Sequence, residues 1–166
     1  LAGSDALATS AVLAAVISGG GFDLVICGTE STDARMSVVP AMLAERLNAA
    51  QLTFASKVDV DPSAQKVSIT RVTEAGVEEM NAQFPCVISV VEKINEPRYP
   101  SFKGIMAAKK KTIESKDLAS VGVTVDSAWS LVADSSPRPP RAAGIKVSDD
   151  NAADQMVSFL AEKKLI

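Results

Sequence analysis

The feature that most constrains the fold is a short apolar run, FDLVIC at residues 22–27, that is bounded by glycine and lies between two helical patterns. A nearly continuous apolar run of this length is typical of a buried parallel strand. Before it, Ser4 or Asp5 can cap a helix over residues 5–18, and after it a polar loop leads to a second helix over residues 37–48. Helix, strand, loop and helix form one pass of a doubly wound α/β sheet.

The middle of the chain changes to short runs in which apolar and polar residues alternate. This alternation is typical of strands with one polar face, and the turns between the runs favour antiparallel pairing. The runs are residues 52–54, 57–60, 66–73 and 77–84. After them, CVISVV at residues 86–91 is apolar throughout and is expected to return to the main sheet. The sequence therefore predicts an α/β fold with a doubly wound, mostly parallel sheet and a small antiparallel section.

The C-terminal third has a weaker pattern. Two prolines and a glycine predict a loop over residues 95–104, and a short helix, IMAAKKK, follows it. Residues 114–148 contain little regular pattern and too few apolar residues to fold alone, and a last helix begins near residues 148–150. We therefore predict an α/β domain at residues 1–113 and, at residues 114–166, an extended arm with a terminal helix that packs on a partner subunit.

The composition excludes several classes of function. The 166 residues include no histidine, so catalysis by Ser-His-Asp or Cys-His groups is excluded, as are histidine metal sites. No pair of carboxylates stands out for acid–base catalysis, so we expect neither an enzyme nor a metal site. The net charge of −3 and the pI of about 5.0 argue against a general nucleic-acid binder. No apolar run reaches the ~20 residues of a membrane-spanning helix, and two cysteines in apolar runs fit a reducing compartment.

The loop after the first strand, residues 28–37, is the first candidate site because ligands of open α/β sheets bind at the carboxyl ends of the strands. Gly28 would let the backbone turn sharply beside a ligand, and the unpaired N–H groups of residues 37–39 would hold a phosphate at the helix N-terminus. Asp33 would cap that helix or bind a ribose hydroxyl. An ordinary polar loop with a capped helix explains the same residues equally well.

The loop at residues 95–104 is the second candidate site. It places Tyr99 and Phe102 beside prolines and just before the lysine run 109–111. An exposed apolar anchor surrounded by charge is suited to transient docking, and the lysines would attract an acidic partner. On the residues alone the favoured interpretation is the opposite one, with both rings in the core and the lysines on a solvated helix end.

These segments together resemble the beta subunit of the electron transfer flavoproteins over nearly the whole chain. The resemblance is carried by FDLVICGTESTD, PAMLAERL, FPCVISV, the long block INEPRYPSFKGIMAAKKK and, late in the chain, PPRAAGIKV, which occur in the family's order. It implies a sheet of the adenine-nucleotide-binding type, whose first strands we expect to precede Leu1. It also implies a heterodimer in which the alpha subunit holds most of the FAD and the beta subunit holds a structural AMP.

The resemblance further implies an electron carrier. Such a heterodimer accepts electrons from acyl-CoA dehydrogenases in fatty acid beta-oxidation and passes them to a membrane quinone oxidoreductase, in the cytoplasm of a bacterium or the mitochondrial matrix of a eukaryote. The expected AMP site consists of Gly28, Thr29, Ser31, Thr32, Asp33, Ser37, Val38 and Val39. The expected docking site, with Phe102 as its apolar anchor, consists of Asn95, Glu96, Pro97, Arg98, Tyr99, Phe102, Ile105, Met106, Lys109, Lys110 and Lys111.

Three positions depart from the family's pattern. Val38 and Val39 stand where relatives often carry Thr or Gln near the phosphate, so backbone N–H groups must hold that phosphate. Val72 follows Arg71 where an acidic residue is common, which weakens any influence on the alpha-subunit flavin. Phe102 stands where many relatives carry Leu, so the partner's pocket is expected to differ in shape.

Two other interpretations stay open at this point. One is a stand-alone adenine-nucleotide-binding regulator, which needs the loop after Gly28 but neither the docking loop nor the arm. The other is the beta subunit of a bifurcating flavoprotein, which binds a second FAD in place of AMP.

Overall fold

The computed structural model describes residues 3–124, 129–141, 143–148 and 150–166. The chain divides into two compact units, Leu1–Val132 and Ala133–Ile166. The first unit contains α1 (Ala6–Ser18), β1 (Leu24–Gly28), α2 (Val39–Arg46), β2 (Ala50–Asp61), β3 (Lys66–Thr73), β4 (Gly76–Gln83), β5 (Cys86–Val90) and α3 (Phe102–Ala108), and the second contains α4 (Ala152–Glu162). Among the described helices, none is both long and apolar enough to cross a membrane.

The strands of the described residues form one sheet in the order β1-β5-β2-β3-β4. β5 lies between β1 and β2 and is parallel to both, whereas β3 and β4 extend the sheet with antiparallel pairings. Helix α2 connects β1 to β2 because a parallel arrangement needs a crossover, while short turns suffice for the antiparallel strands. The predicted α/β class, the helix–strand–loop–helix order and the return of CVISVV to the main sheet are confirmed.

The two apolar strands differ in burial. Four consecutive residues of β5, from Cys86 to Ser89, are buried, as expected for a central parallel strand. β1 was also predicted to be buried, but Ile26 is exposed. The reason is its position, because β1 pairs only with β5 and forms an edge of the described sheet.

Helices α1 and α2 cover one face of the sheet. Their contact is made by Ala14, Leu43 and Ala44, which pack with Val87 of β5 in one buried cluster. The N-cap of α1 is Asp5, so the structure decides between the two predicted caps. Helix α2 begins with the sequence Val-Pro-Ala, so a proline lies in its first turn. Proline is tolerated there because the first N–H groups of a helix have no partner within the helix.

A polar contact also joins the two helices. The Arg46 guanidinium donates from Nε to Ser10 Oγ at 3.0 Å and from Nη2 to the Leu7 carbonyl at 3.2 Å. Ser10 is fully buried, so its hydroxyl needs hydrogen-bond partners, and it also donates to the Leu7 carbonyl at 2.9 Å. The contact fixes α1 relative to α2.

Strand β2 is a single strand of 12 residues rather than the two short strands that the sequence predicted. Its pairing shifts register between Ala55 and Lys57, where Ser56 donates a hydrogen bond to the Thr70 carbonyl. Phe54 has a φ of 59°, which is unfavourable for a bulky residue, and its N–H donates to Ser89 Oγ at 3.0 Å. The irregular backbone interrupts the alternation of side chains, which is why the sequence pattern breaks there although the strand continues.

The β3–β4 hairpin agrees with its prediction to within a residue. Gly76 has a φ of 135°, a conformation that side chains other than glycine rarely adopt, so the turn depends on this glycine. Arg71 Nε donates to the Glu78 carboxylate on the neighbouring strand at 2.7 Å. A second buried cluster joins the two parts of the sheet and consists of Leu52, Ala55, Val67, Ile69, Cys86 and Ile88.

Helix α3 begins at Phe102, earlier than the predicted Ile105, because Ser101 caps it by accepting a hydrogen bond from the Gly104 N–H at 3.1 Å. The helix ends at Ala108, before the lysine run, although that run was predicted to be helical. Between α3 and α4 the described residues contain neither helix nor strand, as predicted. Helix α4 begins at Ala152 with Asn151 as its N-cap, slightly later than the predicted start near residues 148–150, of which residue 149 lies outside the described residues.

Candidate functional site

The first candidate region, the nucleotide loop, comprises residues 28–39 and begins at the carboxyl end of β1. Gly28 pairs with Val90, the last residue of β5. The next residue, Thr29, donates from Oγ1 to the Val90 carbonyl at 2.7 Å. The loop is thus attached to the carboxyl ends of two adjacent parallel strands, which is where open α/β sheets bind ligands. The hydroxyl of Thr29 serves this attachment.

The sharp turn of the nucleotide loop does not occur at Gly28, so that prediction was wrong. The left-handed backbone conformation occurs instead at Arg35, with a φ of 48°, and at Ser37, with a φ of 55°. The Arg35 N–H donates to the Ser31 carbonyl at 3.1 Å and closes the turn. A side chain at Gly28 would meet no atom within 4 Å, so the space beside this residue is open.

Asp33 does not cap α2, so the first of its two predicted roles was wrong, while binding of a ribose hydroxyl stays a prediction. Its Oδ1 accepts from the Ala34 N–H at 2.8 Å. Hydrogen bonds from the Ser31 side chain and from the Ala34 N–H lower the pKa of Asp33, so this exposed carboxylate is ionised near neutral pH. The N-cap of α2 is Val38, and no side chain of the described residues caps the helix. The N–H of Val39 is therefore available to an anion, whereas Pro40, the next residue of α2, has no N–H.

Glu30 is a residue of this loop that the sequence reasoning missed. Its Oε2 accepts from Ser37 Oγ at 3.1 Å, directly before the start of α2. The loop thus carries two carboxylates, those of Glu30 and Asp33, beside the backbone donors of α2. Carboxylates accept hydrogen bonds from hydroxyl groups but repel phosphates. The signal in the sequence is the glutamate inside GTESTD, a residue type that is suited to binding a hydroxyl group.

The second candidate region, the docking segment, comprises residues 95–111 and follows β5. Its base is attached to the sheet, because Val91 donates to the Ala55 carbonyl at 3.0 Å and Ile94 donates to the Val91 carbonyl at 3.1 Å. Tyr99 is 100% exposed and Phe102 is 80% exposed. The interpretation that placed both rings in the core was therefore wrong.

Helix α3 gives the docking segment an apolar face. Phe102, Ile105 and Met106 are spaced three and four residues apart, so they lie on the same side of the helix. No residue of α3 is buried. Because exposed apolar side chains cost free energy in water, this group of them on one helix is a candidate contact surface.

The charge of the docking segment is positive. Its five basic residues are Arg98, Lys103, Lys109, Lys110 and Lys111, against the single acidic residue Glu96. Lys103 lies inside α3, next to Phe102, and was missed by the sequence reasoning. Lys109 is the C-cap of the helix, and the other two lysines follow it, where their charge interacts favourably with the helix dipole. The remaining predicted members, Asn95 and Pro97, are exposed.

The nucleotide loop and the docking segment start from the same edge of the sheet. Each follows the carboxyl end of a strand, β1 for the loop and β5 for the segment, and these strands are paired. The hydrogen bond from Thr29 to Val90 links the two starting points directly. The two candidate regions therefore lie on the same side of the sheet, at the carboxyl ends of two paired strands.

The chain is similar to known proteins over nearly its whole length. Residues 1–121 match the family model of the electron transfer flavoprotein domain. The chain is 44% identical to the electron transfer flavoprotein subunit beta of Mycobacterium leprae over an alignment of 171 positions including gaps, which covers 99% of this chain and 64% of that protein. The corresponding subunit of Mycobacterium tuberculosis is 45% identical with the same coverage. That of Megasphaera elsdenii is 33% identical over an alignment of 185 positions including gaps, which covers 100% of this chain and 67% of that protein.

The chain belongs to the electron transfer flavoprotein family. The three relatives are all beta subunits, so its place within that family is with the beta subunit, as the resemblance implied. The chain spans 64% of the length of the mycobacterial relatives.

Proposed function

We propose that this chain acts as the beta subunit of a heterodimeric electron carrier and is not itself an enzyme. In this proposal the alpha subunit holds most of the FAD, and the beta subunit holds a structural AMP and docks the electron donor. The donors are acyl-CoA dehydrogenases of fatty acid beta-oxidation, and the acceptor is a membrane quinone oxidoreductase. The complex works in the cytoplasm of a bacterium.

The observation that carries the proposal is the surface of the docking segment. A nearly fully exposed Phe102 stands beside an exposed Tyr99, on a segment whose charge is strongly positive while the whole chain is negative. An exposed ring gives a docking partner an apolar anchor, and the lysines increase the rate of encounter with an acidic surface. Electron transfer requires such brief contacts, because the carrier must leave one partner before it meets the next.

The nucleotide loop supports AMP as the ligand of this subunit. The N-terminus of α2 has no side-chain cap, so its backbone N–H groups can donate to the phosphate. Backbone donors are needed there because Val38 and Val39 have no polar side chain. The carboxylates of Glu30 and Asp33 suit the ribose hydroxyls. The Glu30 carboxylate lies beside Ser37, just before α2, and would repel a phosphate bound there. In this proposal it turns away from the phosphate and accepts a hydrogen bond from a ribose hydroxyl. In this role AMP supplies no redox chemistry and acts through its contacts alone.

Residues 114–166 are proposed to pack on the alpha subunit. Trp129, Ile145 and Met156 are among the large apolar side chains that are exposed along this part of the chain. α4 has no buried residue, although its sequence contains Met156, Val157, Phe159 and Leu160. Such side chains are suited to burial against a partner, as in interfaces of permanent complexes.

Replacement of Phe102 tests the docking role. In the complete complex, Phe102→Ala should lower kcat/KM for electron uptake from an acyl-CoA dehydrogenase by about 30-fold or more, because the anchor of an interface contributes about 2 kcal/mol or more. FAD and AMP content should stay the same. The measurement is steady-state reduction of the carrier over a range of carrier concentrations.

Phe22→Ala provides a matched control, because Phe22 is also exposed but precedes the amino end of β1, away from the docking segment. This variant should transfer electrons at the normal rate. Equal rates for Phe102→Ala and the unchanged complex would remove Phe102 from the docking site.

The nucleotide content of the complex tests the cofactor assignment. Denaturation of the purified complex should release one FAD and one AMP. Release of two FAD molecules and no AMP would instead support the bifurcating type of subunit. Glu30→Ala should reduce the AMP content but not the FAD content, since Glu30 lies in the nucleotide loop of this chain.

A further inference from the structure

Asp5 uses its two carboxylate oxygens for different partners. Oδ1 accepts from the Ala8 N–H at 2.9 Å, which is the N-cap contact of α1. Oδ2 accepts from the Trp129 N–H at 2.8 Å and from the Ser130 N–H at 3.2 Å. One half-buried side chain therefore holds both the start of α1 and a segment at the end of the first unit.

The contact with Trp129 and Ser130 goes beyond helix capping. A cap requires one oxygen, and Oδ1 already supplies it. Two consecutive backbone N–H groups that point at one oxygen form a small binding site for an anion. The hydrogen bonds from Ala8, Ser130 and Trp129 lower the pKa of Asp5, which keeps the acceptor ionised. Charge-assisted hydrogen bonds of this kind are stronger than those between neutral groups.

We propose that Asp5 is a latch that holds the backbone of Trp129 and Ser130 against the start of α1. Opening of the latch releases this segment while the sheet and α1 stay folded. The latch joins residues that are 124 and 125 positions apart in the sequence, so it orders a part of the chain that has neither helix nor strand. Trp129, Leu131 and Val132 are exposed, so packing of their side chains contributes little to holding this backbone.

Hydrogen exchange of single amides tests the latch in the 166-residue chain. In the unaltered chain, the Trp129 and Ser130 amides should exchange more slowly than in an unstructured peptide of the same sequence. In Asp5→Ser their exchange should become at least about 5-fold faster, because serine lacks the second oxygen. The Ala8 amide should stay protected, because serine is a good N-cap.

Two further variants separate the latch from a general loss of stability. Asp61→Asn makes the same change of charge at an exposed carboxylate that accepts from Ser63 and Ala64 within its own turn, and it should leave the Trp129 and Ser130 amides unchanged. Ser130→Pro removes one donor without altering α1, and it should accelerate exchange at Trp129. If Asp5→Ser destabilises the whole sheet, Ser130→Pro still tests whether the hydrogen bonds to Asp5 protect the Trp129 amide.

The proposal is overturned if Trp129 and Ser130 exchange at the unstructured rate in the unaltered chain. It is also overturned if neither Asp5→Ser nor Ser130→Pro accelerates exchange at Trp129. Because no partner or nucleotide enters the experiment, its outcome does not depend on the proposed electron-carrier function.

Discussion

Replacement of Ser89 by alanine tests how the sheet tolerates the irregular backbone of β2. Ser89 is 1% exposed, and its Oγ accepts the hydrogen bond from the Phe54 N–H. Phe54 has a left-handed backbone conformation, which costs roughly 1–2 kcal/mol in a residue with a side chain. In Ser89→Ala the Phe54 N–H loses its acceptor at a part-buried position. The cost of such an unsatisfied donor is about 1–3 kcal/mol.

Urea unfolding followed by far-UV circular dichroism measures this cost. With a slope of about 2 kcal/mol per molar urea, the midpoint should fall by about 0.5–1.5 M. Ser63→Ala is the matched control, because Ser63 is exposed in the turn between β2 and β3, and it should leave the midpoint unchanged. A midpoint for Ser89→Ala within about 0.2 M of the unaltered chain would refute the reasoning, since it would mean that Phe54 N–H finds another acceptor.

Two further predictions concern the lysine run and the contact between the helices. Replacement of Lys109, Lys110 and Lys111 by glutamine should slow association with the dehydrogenase by about 3- to 10-fold at low ionic strength, and the difference should shrink as salt shortens the Debye length from about 30 Å towards 8 Å. Stopped-flow rates over a salt series measure this effect, and a deficit that does not change with salt would contradict it. Ser10→Ala should lower Tm by about 1–4 °C relative to Ser18→Ala, because it removes the buried acceptor of Arg46 Nε while water can replace part of the lost bond at the exposed guanidinium. Equal Tm values for the two variants would show that the contact with Arg46 does not stabilise the helix pair.

Local patterns predicted most of the regular elements. The end of α1 at Ser18 and the whole of β3 follow from periodicity and from the turn residues on either side. These features depend on neighbouring residues in the sequence, so a linear pattern records them. The predicted break in β2 was wrong because a local pattern cannot distinguish a bulge from the end of a strand. Both interrupt the alternation of apolar and polar residues in the same way.

The candidate sites were predicted in position but not in detail. The nucleotide loop lies at the carboxyl end of β1 as expected, yet the turn occurs at Arg35 and Ser37, and Glu30 rather than Asp33 faces the residues before α2. Side-chain partners in a loop depend on its three-dimensional course, which no periodicity encodes. The chemistry of the residues alone favoured the core for Tyr99 and Phe102, and the structure exposes both.

The sequence by itself determined the order of helices and strands, the cap of α1 as one of two residues, and the likeness to the beta subunits of electron transfer flavoproteins. Each of these depends on adjacent residues or on a long specific block. Only the tertiary structure decided that β1 is an edge strand, that Ser89 supports Phe54, and that the second oxygen of Asp5 binds the backbone of Trp129 and Ser130. These contacts join residues far apart in the chain, and their partners are set by how the sheet and helices pack, because no local pattern specifies which distant group a side chain will meet.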